Sequence, residues 1–320
     1  MRELLAQAIS TLVLVAAPLS MFNLGLEAGR PHALRLLRRP APLVRFVLVT
    51  FVLMPIVTLL VALLTPVPKP VVEGLVLMSI CPPGLGFSHK SIKLTGETQV
   101  GLAWQALAIP LSVVMIPGFL LLARGAFGVS YLPGAVEVLQ KVMTIFLLPI
   151  TLGISVRTFW PRERPVLIRF SKPLAAAGQL ILLALVLIMG GPAIGGLGLP
   201  SIVVVALTVG VAIVLGHALG GPDENSRTIL ASTLALRWPA PALALAAVNG
   251  STLEITPVIL TFVLADVLLM VPYERWLVNR RQSLESGPPS ERGARKVHPG
   301  LTQDAGSAKP GRVQRRHGPA

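Results

Sequence analysis

The 320-residue chain reads as an all-α polytopic membrane protein, with about nine transmembrane helices in an inverted repeat whose third and eighth helices are broken and cross. Three observations carry this. Apolar residues make up 53% of the chain and charged residues only 13%, whereas a soluble domain carries about 25% charged residues. Apolar runs of roughly 20 residues, the length that crosses the hydrocarbon core, recur throughout. Two of them, in corresponding places of the two half-chains, are interrupted by proline-rich knots.

The expected spans run approximately from Ile9 to Leu26, Leu43 to Leu64, Val71 to Leu94, Val100 to Leu122, Val136 to Val156, Leu174 to Gly190, Ile202 to Leu219, Thr228 to Val248 and Thr256 to Leu277. The first is expected to be a spanning helix rather than a secretory signal. Glu3 beside Arg2, the continuation of the apolar run through Met21 to Leu26, and Ala16-Ala17-Pro18 as a poor cleavage site all speak against one.

The net charge of +14 is a topology signal rather than a nucleic-acid signal. Arg30, Arg35, Arg38, Arg39 and Arg45 follow the first span, Arg157, Arg162, Arg164, Arg169 and Lys172 follow the fifth, and Arg275, Arg280 and Arg281 follow the last. The loops around Lys69, Arg124, Gly195 and Ser251 are nearly free of positive charge. Basic loops stay in the cytoplasm, so the expectation is a multi-pass protein of the cell (inner) membrane with its N-terminus outside and its C-terminus inside. Residues 1–281 form the transmembrane domain. Residues 282–320, rich in Ser, Gly, Pro, Arg and Lys, have too little apolar content to offset chain-ordering entropy and are expected to form a disordered basic tail.

The first break is Cys81-Pro82-Pro83-Gly84-Leu85-Gly86-Phe87; the second is Arg237-Trp238-Pro239-Ala240-Pro241. Proline removes an amide donor and clashes with the preceding turn, and glycine relaxes what remains, so a helix cannot pass unbroken. In hydrocarbon such backbone is tolerated only when it is buried in protein or lines a polar cavity. Because an odd number of spans separates corresponding helices, the halves face opposite ways. Crossing breaks bring half-helix ends together, whose N-termini favour an anion and whose C-terminal carbonyls favour a cation.

Polar residues near the breaks are the candidate ligands. Arg237 stands inside an apolar run, where a charge faces a cavity or a partner. Asp266 is the only carboxylate deep in an unbroken span. Counted from a turn near Ser251, Arg237 lies about 14 residues before and Asp266 about 15 after, so at roughly 1.5 Å per residue their depths agree. Two readings stand: a static salt bridge, or an Arg237 that meets an anionic substrate and an Asp266 that exchanges a proton or binds a cation. Ser88, Ser91, Gln105 and Thr233 offer oxygen or amide ligands. His89, Lys90 and Lys93 read as inside-facing topology charges, and Cys81, the single cysteine, as a small buried apolar residue. No metal cluster, His-Glu-X-X-His helix, Gly-X-Ser-X-Gly elbow or P-loop occurs in the sequence, so an enzyme is not expected.

Asn23-Leu24-Gly25-Leu26, the Cys81-Pro82-Pro83-Gly84 break followed by Ser88, Lys90, Lys93 and Gly96-Glu97, and Leu234 to Leu245 around Arg237-Trp238-Pro239-Ala240-Pro241 resemble the bile acid:sodium symporter superfamily, as a divergent bacterial-type member. The resemblance runs from Ile9 to Leu277. It implies a core of spans two, three, four, seven, eight and nine that moves against a panel of spans one, five and six. It also implies the loss here of a first helix typical of members, and sodium-coupled uptake of organic anions. The family's sodium ligands carry over to Phe87, Ser88 and Ser91 in the first break and to Thr233 and Arg237 in the second. A cation at Arg237 and the absence of a carboxylate at Thr233 oppose sodium binding there.

The sequence therefore leads to a secondary active transporter of a small organic anion, working by alternating access, with no cofactor and with a sodium ion or a proton as the coupling ion. Its site comprises Pro82, Pro83, Gly84, Ser88, Ser91, Gln105, Thr233, Arg237, Pro239, Pro241 and Asp266. The partners are the anion and the lipid bilayer, with no nucleic acid. The alternative is a membrane receptor or scaffold of the same fold that signals through its tail.

Overall fold

In the computed structural model, residues 2–27, 40–84, 98–126, 129 and 134–285 are described. These form helices and turns, and the described residues contain no strand beyond a single antiparallel bridge between Pro83 and Arg237. The chain divides into a unit Met1–Glu274 and a second unit Arg275–Ala320. In the described part of the second unit, the Arg280 guanidinium lies 5.2 Å from the centre of the Trp276 ring.

Helix α1 spans Arg2–Glu27. Helix α2 is made of Pro40–Leu48 and Met54–Leu64 joined by a π-helical turn, Val49–Leu53. Then follow α3 (Lys69–Ile80) and α4 (Thr98–Ala126). Helix α5 joins Ala135–Val142 to Leu148–Phe159 through a second π-helical turn, Met143–Leu147. Next come α6 (Arg164–Ile194), α7 (Leu199–Leu219), α8 (Glu224–Ala235), α9 (Pro239–Val248) and α10 (Thr252–Glu285).

Seven helices among the described residues are long and apolar enough to cross a membrane. Two of the expected nine spans are not among them: Val71 to Leu94, of which 85–94 lie outside the described residues, and Thr228 to Val248. Proline is the reason. Helix α3 is 12 residues long and stops before Cys81-Pro82-Pro83, and the second segment is divided into α8 and α9, of 12 and 10 residues. The large apolar side chains left on the outer surface, such as Val114, Leu121, Ile188, Val203, Val214 and Leu268, are what a lipid-facing surface requires. The chain is a multi-pass membrane protein.

Small residues set the closest helix contacts, as in other membrane helix pairs. A Cβ at Gly25 of α1 would meet the Ile150 carbonyl of α5, and one at Gly153 would meet the Phe22 carbonyl of α1, so the two backbones touch. Helix α1 also packs along α6, where a Cβ on Gly178 would lie 2.9 Å from the Ala16 Cβ. Helix α7 meets α8 in the same way, with Gly216 against Ala231 and Gly220 against Arg227. At the end of α9, Gly250 takes φ +70 while Ser251 N–H donates to Ala246 O at 3.0 Å and Gly250 N–H to Ala247 O at 3.3 Å, a Schellman stop that needs glycine. Asp223 caps α8, its Oδ1 accepting from Ser226 N–H at 2.8 Å.

Both π-helical turns lie in the same sequence, Thr-X-X-Leu-X-Pro-Ile, at 50–56 and 144–150. In α2 the Met54 N–H donates to Val49 O, one residue further back than in an α-helix. Pro55, the next residue in that ladder, has no N–H. The Thr50 carbonyl is thereby left without a helical donor.

Candidate functional site

The proline-rich segment that ends α3 and the one between α8 and α9 meet face to face. Gly84 N–H donates to Leu236 O at 2.8 Å, and Trp238 N–H donates to Pro82 O at 3.1 Å. Each segment thus supplies a donor to a carbonyl of the other, which is how unwound backbone remains stable away from water. Helix α8 closes with Leu236 N–H on Ser232 O at 2.9 Å and Arg237 N–H on Ala235 O at 2.8 Å.

Arg237 occupies the middle of this arrangement at 5% exposure. Its Nη1 donates to Cys81 O at 2.7 Å, its Nε to Leu234 O at 3.1 Å and its Nη2 to Thr50 O at 3.3 Å. Leu234 belongs to the last turn of α8 and Cys81 caps the end of α3, so two helix C-termini, each carrying partial negative charge, direct carbonyls at one cation. The third carbonyl is the one released by the π-helical turn of α2. The equal depth of Arg237 and Asp266 does not translate into a salt bridge: the guanidinium bonds to backbone carbonyls instead.

A cavity of about 740 Å³ opens beside this cluster. Its walls are α1, α6, α9, α10 and the segment from Leu236 to Pro239, with Gly84 from the first interruption. Leu180, Leu183, Val186, Leu243, Ile259 and Leu260 make it largely apolar. Polar groups enter along one face of α1, at Ser20, Asn23 and Glu27, spaced by three and four residues as one helix face requires.

Groups on α6 answer them. Gln179 Nε2 donates to Ser20 Oγ at 3.3 Å, Ser171 Oγ donates to Asn23 Oδ1 at 2.7 Å, and Lys172 Nζ pairs with Glu27 Oε1 at 2.8 Å. That ion pair is the partly exposed end of the cavity, with Lys172 57% and Glu27 30% exposed. Beyond it Arg157 and Arg164 donate to the last carbonyls of α1, Glu27 O at 3.1 Å and Leu26 O at 2.8 Å. Arg237 and Asp266, the latter 7% exposed, lie where the cavity is buried.

Of the residues expected at the site, Gly84, Arg237, Pro239 and Asp266 line the cavity. Pro82 and Pro83 sit behind Gly84 in the paired segments, Pro82 as an acceptor and Pro83 as the bridge partner of Arg237. Thr233 is fully buried and its hydroxyl donates to Ile229 O at 2.7 Å, within its own helix. Pro241 is buried in α9; with Pro239 it removes two of the first three amides of that helix, leaving Ala240 alone among them as a donor. Ser88, Ser91 and the Gln105 side chain lie outside the described residues.

Sequence reasoning missed Ser20, Glu27, Gln179 and Trp238 as cavity residues and took Lys172 only as a topology charge. The polar stripe at 20, 23 and 27 in an otherwise apolar helix was the available signal. The Trp238 ring stands edge-on to Phe146 of α5, with centroids 5.8 Å apart.

No curated protein gives a significant match to the chain. The profile of the Sodium Bile acid symporter family matches residues 11–196, more than half of the 320 residues. The match takes in α1 from residue 11 onward, the first interruption and all of α6, and the chain belongs to that family of transporters.

Proposed function

We propose that the protein is a secondary active transporter of a small organic anion, which it carries by alternating access through the cavity beside Arg237. The observation that supports this most is a buried cation in an apolar cavity. Of the five N–H donors of a guanidinium, three are engaged by carbonyls, and those carbonyls carry only partial charge. The residue keeps its formal positive charge and lines the cavity. An anion with an apolar body suits such a site: the charge orients it, and the leucine-rich walls bury the remainder.

In this reading α1, α5 and α6 form the panel and the remaining helices the core. The cavity lies between α1 and α6 on one side and the interrupted segments with α10 on the other, so a rocking of panel against core would expose the same site to either face. The end of the cavity next to Arg157, Arg164 and Lys172 is the cytoplasmic one by the charge asymmetry of the loops, which makes the conformation inward-facing. The membrane is the cell (inner) membrane, with the N-terminus outside. Asp266, in the same cavity, carries coupling by exchanging a proton.

The test is equilibrium binding of labelled organic anions of graded size, from short carboxylates to sterol-like acids, to the purified full-length protein. Saturable binding that prefers anions to neutral isosteres supports the reading. No binding across the series contradicts it.

A further inference from the structure

The profile that matches this chain is that of a sodium symporter family, and backbone carbonyls grouped at helix ends are the chemistry that would hold such a cation. Three such carbonyls converge in this protein, those of Thr50, Cys81 and Leu234. All three are occupied by one side chain of the protein itself, at 3.3, 2.7 and 3.1 Å from the Arg237 nitrogens. The residues present do not fit a sodium ion at this place. A second cation there would meet the guanidinium charge at contact distance in a medium of low dielectric.

We infer that Arg237 is a tethered cation that takes the place of a mobile one, so that the crossing of the interrupted segments is held together without sodium. Three features converge on it independently. The C-terminal ends of α3 and α8 both point orphan carbonyls at the guanidinium. The Thr50 carbonyl is free only because Met54 donates to Val49 O and Pro55 has no N–H, so a helical irregularity in α2 supplies the third acceptor. Finally, Arg237 is held at 5% exposure without a carboxylate among its hydrogen-bond partners. Helix-end dipoles stabilise its charge, as they would that of a bound monovalent cation.

The consequence is a transporter whose loading does not require sodium at this site. That consequence rests on the transport reading; the binding statement does not. Charge neutralisation of the carbonyl cluster is permanent in this chain, whereas a bound ion would supply it only when present.

The experiment is the thermal midpoint of the detergent-purified full-length protein in sodium, potassium or N-methyl-glucamine chloride at equal ionic strength, for the wild type and Arg237→Gln. The expected result is a wild-type midpoint that agrees within about 1 °C in the three salts, and an Arg237→Gln midpoint that rises by at least about 2 °C in sodium alone as the vacated carbonyls take up the ion. A sodium-specific rise in the wild type overturns the inference. So does a folded Arg237→Gln protein that is indifferent to sodium. If that variant does not fold, the wild-type comparison decides by itself. None of these outcomes depends on transport or on knowing the substrate, so a failure of the transport reading leaves them unchanged.

Discussion

Arg237 donates through Nη1 to the carbonyl of Cys81 at 2.7 Å, across 156 residues of chain. This one hydrogen bond ties the end of α3 to the segment between α8 and α9, and it places a charge where the two interruptions meet. A charge-assisted bond of this kind contributes roughly 1.5 to 3 kcal/mol, and its loss leaves a helix-end carbonyl unpaired in a buried place.

A guanidinium donor to a bound anion is a charge-assisted bond of similar strength, so Arg237→Gln is expected to weaken anion binding by about 10- to 100-fold, since each 1.4 kcal/mol is about a factor of ten. Arg237→Lys, which keeps the charge but not the fork of donors, is expected to fall between the two. Equilibrium binding of the same labelled anion to the three proteins checks this. Equal affinities would remove Arg237 from the binding role.

The contact between α1 and α5 gives a packing prediction. A Cβ at Gly153 would meet the Phe22 carbonyl and lie 2.9 Å from Gly25 Cα, whereas one at Gly118 has nothing within 4 Å. Gly153→Ala is expected to destabilise the protein by about 1 to 3 kcal/mol. Gly118→Ala is expected to be neutral or to stabilise by about 0.5 to 1 kcal/mol through helix propensity. Thermal midpoints in detergent distinguish the two, and an unchanged Gly153→Ala would contradict the backbone contact.

Glu73 fastens the turn between α9 and α10. Its Oε1 accepts from Asn249 Nδ2 and from Ser251 Oγ, both at 2.8 Å, and the side chain is buried. Glu73→Ala leaves two donors without this acceptor and is expected to lower stability by about 2 kcal/mol or more. Glu73→Gln keeps a carbonyl oxygen in place and is expected to lose about half as much. Denaturation of the two variants side by side checks the ratio.

Lys172 and Glu27 hold the partly exposed end of the cavity. An exposed pair of this kind contributes about 0 to 1 kcal/mol to stability, but its lysine raises the local anion concentration. Lys172→Met is expected to leave the thermal midpoint nearly unchanged while raising the apparent KM for the anion and flattening its dependence on salt. Unchanged KM and salt dependence would exclude Lys172 from substrate capture.

Much of this arrangement was legible in the chain, and the reasons differ from residue to residue. Pro82, Pro83, Pro239 and Pro241 act locally, by removing amide donors, so both interruptions can be located without tertiary information. Arg237 was legible because a charge in an apolar run is costly enough to require a reason. Its partners were not. Depth along a helix gives no azimuth, so equal depth suggested Asp266, while the guanidinium turns to carbonyls whose availability depends on where neighbouring helices end and where α2 widens. The repeated Thr-X-X-Leu-X-Pro-Ile at 50–56 and 144–150 was a usable sign of that widening, because proline at its sixth position cannot donate back. Thr233 illustrates the converse. A threonine within an apolar segment looks like a ligand, but in a helix its hydroxyl readily bonds four residues back, as it does to Ile229.

Uptake of labelled organic anions into proteoliposomes containing the full-length protein, with sodium and proton gradients imposed separately, distinguishes proton-driven from sodium-driven transport. The expected result is saturable uptake that is driven by an inward proton gradient, lost in Asp266→Asn and indifferent to sodium. Uptake that rises with a sodium gradient and ignores protons, or no uptake of any anion under either gradient, would contradict it.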